Sequence, residues 1–298
     1  LTNAGSVSDR CLVLIFLAGG NDGINTLIPI DQYDILMRDG SGGDSKPLRR
    51  PDLMIPENKI LKMDGLSDTG LHSRMEKFQT LFNEDKLGIV KNVGYPNPNK
   101  SHFRSTDIWN SASSSDEFIF SGWFGRYLSN NHPSYPEGYP NNDFTDPLAL
   151  TIGNNSSGTC QGPIINMGMS IKSLTSFPEI KEGEGDVPET PYGHELQYIR
   201  TASKITNDYF DRLEEAATYG GSSEIEYPDS KLANQLKMVA QLIAGGLKSK
   251  IFILKTGGFD THAKQVEAGS PETGAHPDLM ENLAESIHAF QQDIINRD

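Results

Sequence analysis

Four short runs of apolar residues are spread along the chain, and each has the length of a β-strand. They cover residues 12–17, 87–93, 148–152 and 250–255. None is long enough to cross a membrane, which takes about 18 apolar residues or more. The first run is continuous and rich in β-branched residues, which is typical of a strand buried on both faces of a parallel sheet. We therefore predict that these runs form a mostly parallel sheet.

Between the runs, apolar residues recur at the spacing of one helix face. This spacing predicts helices that begin near Ser101 and Gly122, and others at residues 73–83, 195–218, 229–247 and 277–295, whereas residues 31–38 are expected to form a short helical or irregular piece. The first 93 residues then follow the order strand, helix, strand, which is the order of a βαβ unit. The pattern predicts an α/β fold.

The composition bounds the domain organisation. With 298 residues, of which 36% are hydrophobic, the chain can form one large α/β domain or two small ones. We expect a flexible polar leader at residues 1–9 and a single domain over residues 10–298, with loop insertions near 130–146 and 178–192. The net charge of −14 argues against binding to nucleic acids or anionic membranes.

The first predicted strand ends in a Gly-Gly-Asn-Asp-Gly sequence that contains Asp22. Ligands bind outside the carboxyl ends of the strands in open α/β sheets. Asp22 is therefore a candidate metal ligand or phosphate-site acid, and Asn21 and Asn25 beside it are candidate substrate-binding residues. The alternative is structural, because Asn-Asp-Gly is also typical of a turn.

The second predicted strand is followed by Ser101 and His102 at the start of a predicted helix. A hydroxyl at a helix N-terminus, beside His102 and Arg104, suits an anion or a nucleophile that attacks one. Ser101 and His102 are thus candidate catalytic residues, and Arg104 is a candidate substrate-binding residue. Serine is also a favoured N-cap, and that role requires no chemistry.

The last predicted strand leads into Gly-Gly-Phe-Asp-Thr-His, which places Asp260 and His262 two residues apart. Carboxylate and imidazole are ligands of Zn, Mn or Fe sites. A hydrogen-bonded turn would explain this motif alone. Polar or ionisable residues at three strand ends favour a site at one edge of the sheet.

The same segments resemble a known family. The segments LVLIFLAGGNDGINTLIP, SHFRSTDIW with GWFGRYL, and GGFDTHAKQ are similar, in this order, to the bacterial DUF1501 family of the alkaline phosphatase/sulfatase superfamily. The resemblance runs from about Leu12 to the C-terminus. It implies an alkaline-phosphatase-like, three-layer α/β/α sandwich around a mostly parallel sheet. It also implies export to the periplasm and a metal site at the carboxyl ends of the strands.

By this resemblance, Asp22, Asp260 and His262 match ligands of a divalent cation, which would be Zn, Mn, Fe or Ca. Ser101 falls near the position of the superfamily's hydroxyl nucleophile, and the lesser candidates are Ser105 and Thr106. Family members carry further ligand motifs beyond the position that corresponds to residue 298. The resemblance therefore implies either a C-terminally incomplete domain or a chain that has lost half of a binuclear metal site.

The expected function is metal-dependent hydrolysis of a phosphate or sulfate ester, in a small molecule or a polysaccharide, or a degenerate form of that activity. The alternative is a non-catalytic binding or scaffolding protein of the cell envelope that retains the fold. A cofactor-independent esterase that uses Ser101 and His102 is disfavoured, because adjacent helical side chains point about 100° apart.

Overall fold

The computed structural model describes residues 10–37, 50–176, 180 and 185–297. The predicted leader, and part of the insertion predicted near 178–192, lie outside these residues. The described strands are β1 (Leu12–Leu17), β2 (Leu27–Pro29), β3 (Leu61–Lys62), β4 (Thr69–Leu71), β5 (Ala149–Ile152), β6 (Met169–Ile171) and β7 (Ile251–Thr256). The described helices are α1 (Gly23–Thr26), α2 (Tyr33–Met37), α3 (Glu76–Asn83), α4 (His102–Ser111), α5 (Trp123–Asn131), α6 (Pro191–Gly220), α7 (Lys231–Ala244) and α8 (Ala275–Arg297).

A parallel sheet of four strands organises the fold, in the order β1-β7-β5-β6. Ile251 at the start of β7 lies opposite Leu12 of β1 on one side and Ala149 of β5 on the other. The α/β fold and the strands predicted at residues 12–17, 148–152 and 250–255 are confirmed. The pattern did not predict β6, because only three residues of a mildly apolar stretch form it.

Alternate side chains of β7 enter two different apolar clusters. Phe252 and Leu254 pack with buried residues of α6, α7 and α8. Ile251 and Ile253 pack with Phe124 of α5 and its neighbours. Full burial of each such side chain stabilises the fold by about 1.5–3 kcal/mol. Both faces of the parallel sheet are therefore covered, which leaves its carboxyl edge as the place where loops are free to form a site.

The first strand is less buried than its apolar sequence predicts. It pairs with β7 alone among the described strands, so it lies at one edge of the sheet. Leu12 is 46% exposed, and the other residues of β1 are half-buried. The expectation that this strand is buried on both faces is met only in part: Val13, Ile15 and Leu17 pack against one apolar cluster and Leu14 against the other, but no described strand covers the outer edge.

The strand predicted at residues 87–93 is also wrong. This segment forms no regular secondary structure, and Val90 and Val93 are 81% and 79% exposed. The ammonium group of Lys91 is bonded to Asp68 and Thr69 at 3.0 and 2.7 Å. A strand requires a neighbour that pairs with its backbone groups, and none of the described strands pairs with this run. The predicted βαβ unit at residues 12–93 is therefore absent.

The strands β2, β4 and β3 form a second, antiparallel sheet, in the order β2-β4-β3. β4 ends at Leu71, and the helix predicted at residues 73–83 begins only at Glu76, three residues later than predicted. The other predicted helices are present, and Thr190 and Ser230 cap α6 and α7 through their side chains. Within the described residues, no helix is long and apolar enough to cross a membrane.

Candidate functional site

The carboxyl edge of the parallel sheet brings the loops after β1 and β7 into contact. Gly19 has a φ of +116°, and a Cβ atom at this position would lie 2.7 Å from the backbone nitrogen of Asp260. Only glycine combines this backbone conformation with so close an approach. The Gly-Gly pair after β1 therefore allows Asp260 to sit against the end of the first strand.

Asp260 contacts two imidazoles at once. Its Oδ2 atom lies 3.2 Å from Nε2 of His102 and 3.0 Å from Nε2 of His262. His102 is the first residue of α4, and His262 begins a short turn after β7. The structure thus places three of the sequence-predicted site residues in one group, which we call the His-Asp-His cluster.

The backbone of His262 is strained. Its φ is +47°, in the left-handed region that non-glycine residues rarely occupy, and such a conformation costs about 1–2 kcal/mol. Strain of this kind concentrates at functional sites. The side chains of Asp260 and His262 are 43% and 78% exposed, so the cluster is open to a ligand.

Asp22, the third predicted metal ligand, has other partners. Both of its oxygens accept hydrogen bonds from the guanidinium of Arg50, one at 2.7 Å, and the Gln265 amide donates to one of them. Burial opposes ionisation of Asp22, but the hydrogen bonds and charge of Arg50, with the Gln265 bond, outweigh burial and lower its pKa. Asp22 also caps α1, where it accepts from the backbone nitrogen of Asn25.

The described residues fit the predicted metal site only in part. Asp22 does not fit, because the guanidinium of Arg50 already binds both oxygens of its carboxylate. In the His-Asp-His cluster, both Nε2 atoms face one carboxylate oxygen rather than a shared central point. Accordingly, no group of three or more His, Cys, Asp or Glu side chains in the described part of the chain is arranged to hold a metal ion.

Asn21 and Asn25, the predicted substrate-binding residues of this loop, bond within the protein. Asn21 donates to the Thr26 hydroxyl at 3.0 Å, and its Oδ1 lies 3.3 Å from Nε2 of His276. Asn25 is buried and donates to the carbonyl of Leu53 at 2.8 Å. Both side chains hold the loop in place. Their binding role stays a prediction.

Two buried histidines lie behind this loop. The rings of His72 and His276 meet edge to face, with centroids 5.7 Å apart. Burial, together with the nearby His276 and Arg74, lowers the pKa of His72 to about 4. Burial also lowers the pKa of His276, although Asp22 opposes this shift. Both imidazoles are therefore held neutral near neutral pH.

Ser101 and Arg104 are not part of the His-Asp-His cluster. Ser101 is the exposed N-cap of α4, and its side chain makes no capping hydrogen bond. Arg104 is buried, and its guanidinium donates to the carbonyls of Ser114, Ser115 and Glu117. These bonds fix the loop after α4, so neither predicted role gains support from the geometry.

A small cavity opens beside His102. Its volume is about 230 Å³, and Phe16, Tyr95, Ser105 and Trp109 contribute to its walls. The Ser105 hydroxyl lies 2.9 Å from the Tyr95 hydroxyl and donates to the carbonyl of Asn99. Ser105, a lesser candidate in the sequence, therefore shares this cavity with His102, whereas Ser101 is not among its described wall residues.

A larger cavity of about 820 Å³ adjoins the first, since both share Phe16, Thr106 and Trp109 as wall residues. We call it the lysine cavity, because Lys172, Lys231 and Lys255 line it. The sequence pattern does not predict this cavity. These lysines follow β6, begin α7 and end β7, so no spacing in the chain signals that they converge.

Comparisons with known proteins leave the chemistry of this site to be inferred from its own residues. No protein-family model matches the chain, and no curated protein or solved structure matches it. The fold and the site define an α/β protein with an ionisable cluster at the carboxyl edge of a parallel sheet.

Proposed function

We propose that this chain is a hydrolase of phosphate or sulfate esters, with the His-Asp-His cluster as its reacting centre. The observation that supports this most is the pair of imidazoles on one oxygen of Asp260, beside a cavity at the carboxyl edge of the sheet. That edge is where α/β proteins place their ligands. Imidazole is also the side chain that most often transfers protons in catalysis.

The cluster defines a proton path. In this proposal Oδ2 of Asp260, which lies 3.2 Å from Nε2 of His102, favours the tautomer with the proton on Nε2, so that Nδ1 of that imidazole is free to accept a proton. A water oxygen adds to phosphorus or sulfur while His102 takes its proton, and the bond to the alcohol oxygen breaks. The imidazolium then returns the proton to the departing alcohol, so the step balances. Ser105, which lines the same small cavity as His102, is the alternative nucleophile: its hydroxyl would displace the alcohol, and water would then hydrolyse the seryl ester.

A divalent cation remains part of the proposal through the family resemblance. Asp260 and His262, two of the ligands that the resemblance implies, would hold it, since carboxylate oxygen and imidazole nitrogen are ligands that suit Zn. These side chains would have to turn from one another toward the ion. When bound, the cation would polarise the ester oxygens.

The finer fold assignment and the compartment belong to the same proposal. The two apolar clusters on opposite faces of β7 support a three-layer α/β/α arrangement of the alkaline phosphatase type. Membership of the DUF1501 family and export to the periplasm rest on the motifs at residues 12–29, 101–109 and 257–265.

The second candidate function is a non-catalytic binding protein of the cell envelope. The lysine cavity favours it, because this cavity is larger than the one beside His102. A protein that binds anions in the lysine cavity but hydrolyses no ester would belong to this class.

Initial rates with para-nitrophenyl phosphate and para-nitrophenyl sulfate, with and without Zn²⁺, Mn²⁺ or Ca²⁺, test the hydrolase proposal. We expect turnover of one ester, and a decrease in kcat of about 100-fold or more in the His102→Gln variant, since general acid–base catalysis contributes about 10²–10⁴-fold. The control is His288→Gln, which changes a half-buried histidine of α8 outside the cluster. Equal rates in both variants would contradict the assignment of His102.

A further inference from the structure

The lysine cavity has a local charge opposite to that of the whole chain. The protein has 40 acidic and 26 basic residues, yet the described wall residues of this cavity include three lysines and no Asp or Glu. In the described part of the chain, Lys172, Lys231 and Lys255 take part in no ion pair. Three exposed ammonium groups around one cavity attract an anion.

A buried acceptor in the same cavity points to a ligand with hydroxyl groups. Gln235 lines the cavity and is 7% exposed. Its Nε2 donates to the carbonyl of Ile152, and its Oε1 has no hydrogen-bond partner among the described residues. An unsatisfied buried acceptor costs about 1–3 kcal/mol. A ligand hydroxyl that donates to Oε1 would recover this cost, whereas an anion alone could not.

The remaining walls suit a sugar. Asn110, Asn154, Asn155 and Asn234 add amide donors and acceptors. Phe16 and Trp109 form a stacked aromatic pair, with ring centroids 4.3 Å apart, at the boundary with the small cavity. An aromatic surface with a few placed polar groups is the usual construction of a small-molecule site. A volume of about 820 Å³ accommodates a sugar of one or two rings.

We propose that the lysine cavity binds an anionic sugar: a polyhydroxylated group with a carboxylate, sulfate or phosphate that is not the ester to be cleaved. The inference rests on the function proposed above, since it places the reacting ester of the same ligand in the adjoining small cavity. Lys172, Lys231 and Lys255 bind the anionic group, Gln235 accepts a hydroxyl, and Trp109 packs against the ring.

Titration calorimetry at low ionic strength tests the binding with five probes: glucuronate, a glucose phosphate, a glucose sulfate, neutral glucose and inorganic phosphate. At least one anionic sugar should bind about tenfold more tightly than glucose and than inorganic phosphate. The Lys172→Gln/Lys255→Gln variant should lose about tenfold in affinity, as expected for two exposed charge contacts. Added salt should weaken the binding.

The control variant is Lys62→Gln/Lys77→Gln, which removes two exposed lysines that do not line the lysine cavity. Equal losses in the two double variants, equal binding of glucose and the anionic sugars, or no binding of any probe would overturn the inference. Lysine-dependent binding without ester hydrolysis would support the lysine cavity and contradict only the hydrolase proposal. Hydrolysis with lysine-independent binding of the sugars would overturn this inference alone.

Discussion

Nε2 of His102 lies 3.2 Å from Oδ2 of Asp260, and this contact joins the first residue of α4 to the loop after β7. The two residues come from distant parts of the chain. They meet because the loop after β1 contains Gly19 and Gly20, which leave room for both side chains. The proposed proton path therefore depends on a contact between two residues that are distant in sequence and meet only in the folded protein.

Gly20 limits the position of the His102 ring. A Cβ atom at Gly20 would lie 3.2 Å from Cε1 of His102 and 3.8 Å from Oδ1 of Asp260. In a Gly20→Ala variant we expect the ring to move by a few tenths of an ångström. The kcat of ester hydrolysis should fall about tenfold, since a shift of about 1 Å can cost about 100-fold.

The matched control for this change is Gly23→Ala in the same loop. A Cβ atom at Gly23 has no neighbour within 4 Å, so its kcat should equal that of the wild type. Steady-state kinetics with the preferred ester would compare the two variants. Equal rates in the two alanine variants would show that the His102 position does not control turnover.

The metal content of two alanine variants tests whether Asp260 or Asp22 binds a cation. Elemental analysis after dialysis against a metal-containing buffer should show loss of the bound cation in Asp260→Ala. The Asp22→Ala variant should retain it, because Asp22 is paired with Arg50 and Gln265 rather than with the His-Asp-His cluster. Loss of the cation in both variants would restore the ligand set predicted from the sequence.

Arg50 stabilises the fold through Asp22. The two side chains are only 14% and 10% exposed, so Arg50→Ala leaves a largely buried carboxylate without its cation. We expect a decrease of about 2 kcal/mol in the free energy of unfolding, measured by urea denaturation at about pH 7. Lys86→Ala, which breaks an exposed pair with Glu84, should cost less than about 1 kcal/mol.

The loss of stability in Arg50→Ala should become smaller as the pH falls. The folded protein lowers the pKa of Asp22, so the ion pair contributes its full stability above the unfolded pKa of about 3.9 and loses it as the pH falls further. The difference between wild type and Arg50→Ala should therefore shrink below about pH 4. A constant difference down to lower pH would contradict the ion pair.

His72 should make the stability of the protein depend on pH over a higher range than the Asp22–Arg50 pair does. Its pKa is lowered from 6.5 to about 4 in the folded state, so the unfolded state binds the extra proton first as the pH falls. The groups that face it are His276, Arg74 and Asp22. Between about pH 6.5 and pH 4, His72 should remove up to about 3 kcal/mol of stability.

A His72→Asn variant tests this acid sensitivity, because an amide keeps an acceptor for the backbone nitrogen of Arg74 but does not titrate. Its free energy of unfolding should vary less with pH than that of the wild type over this window. Parallel stability curves for the two proteins would show that His72 is not the titrating group.

The parallel sheet was largely predictable from local sequence. The apolar runs that became β1, β5 and β7 have no helical spacing, and their flanking glycines mark where they end. The run at residues 87–93 has the same local character but pairs with none of the described strands. Pairing depends on the tertiary arrangement, which periodicity does not contain.

The candidate site was predictable where its residues follow an observed strand or begin a predicted helix. Asp260 and His262 are close in sequence, and His102 begins a helix that the pattern predicts. The partner of Asp22 was not predictable, because Arg50 lies 28 residues away in the sequence and no local pattern indicates that the two side chains meet. The same limit applies to the lysine cavity, whose walls come from separate elements of the chain.

The most direct test of the central claim is the rate of phosphate and sulfate ester hydrolysis by Asp260→Asn beside the wild type. The amide preserves the shape of the side chain but cannot hold the charge that orients both imidazoles. We predict a decrease in kcat of about 100-fold or more, with the wild-type rate in the control Asp211→Asn on the exposed face of α6. An Asp260→Asn protein that folds and turns over at the wild-type rate would contradict the assignment of the His-Asp-His cluster as the reacting centre.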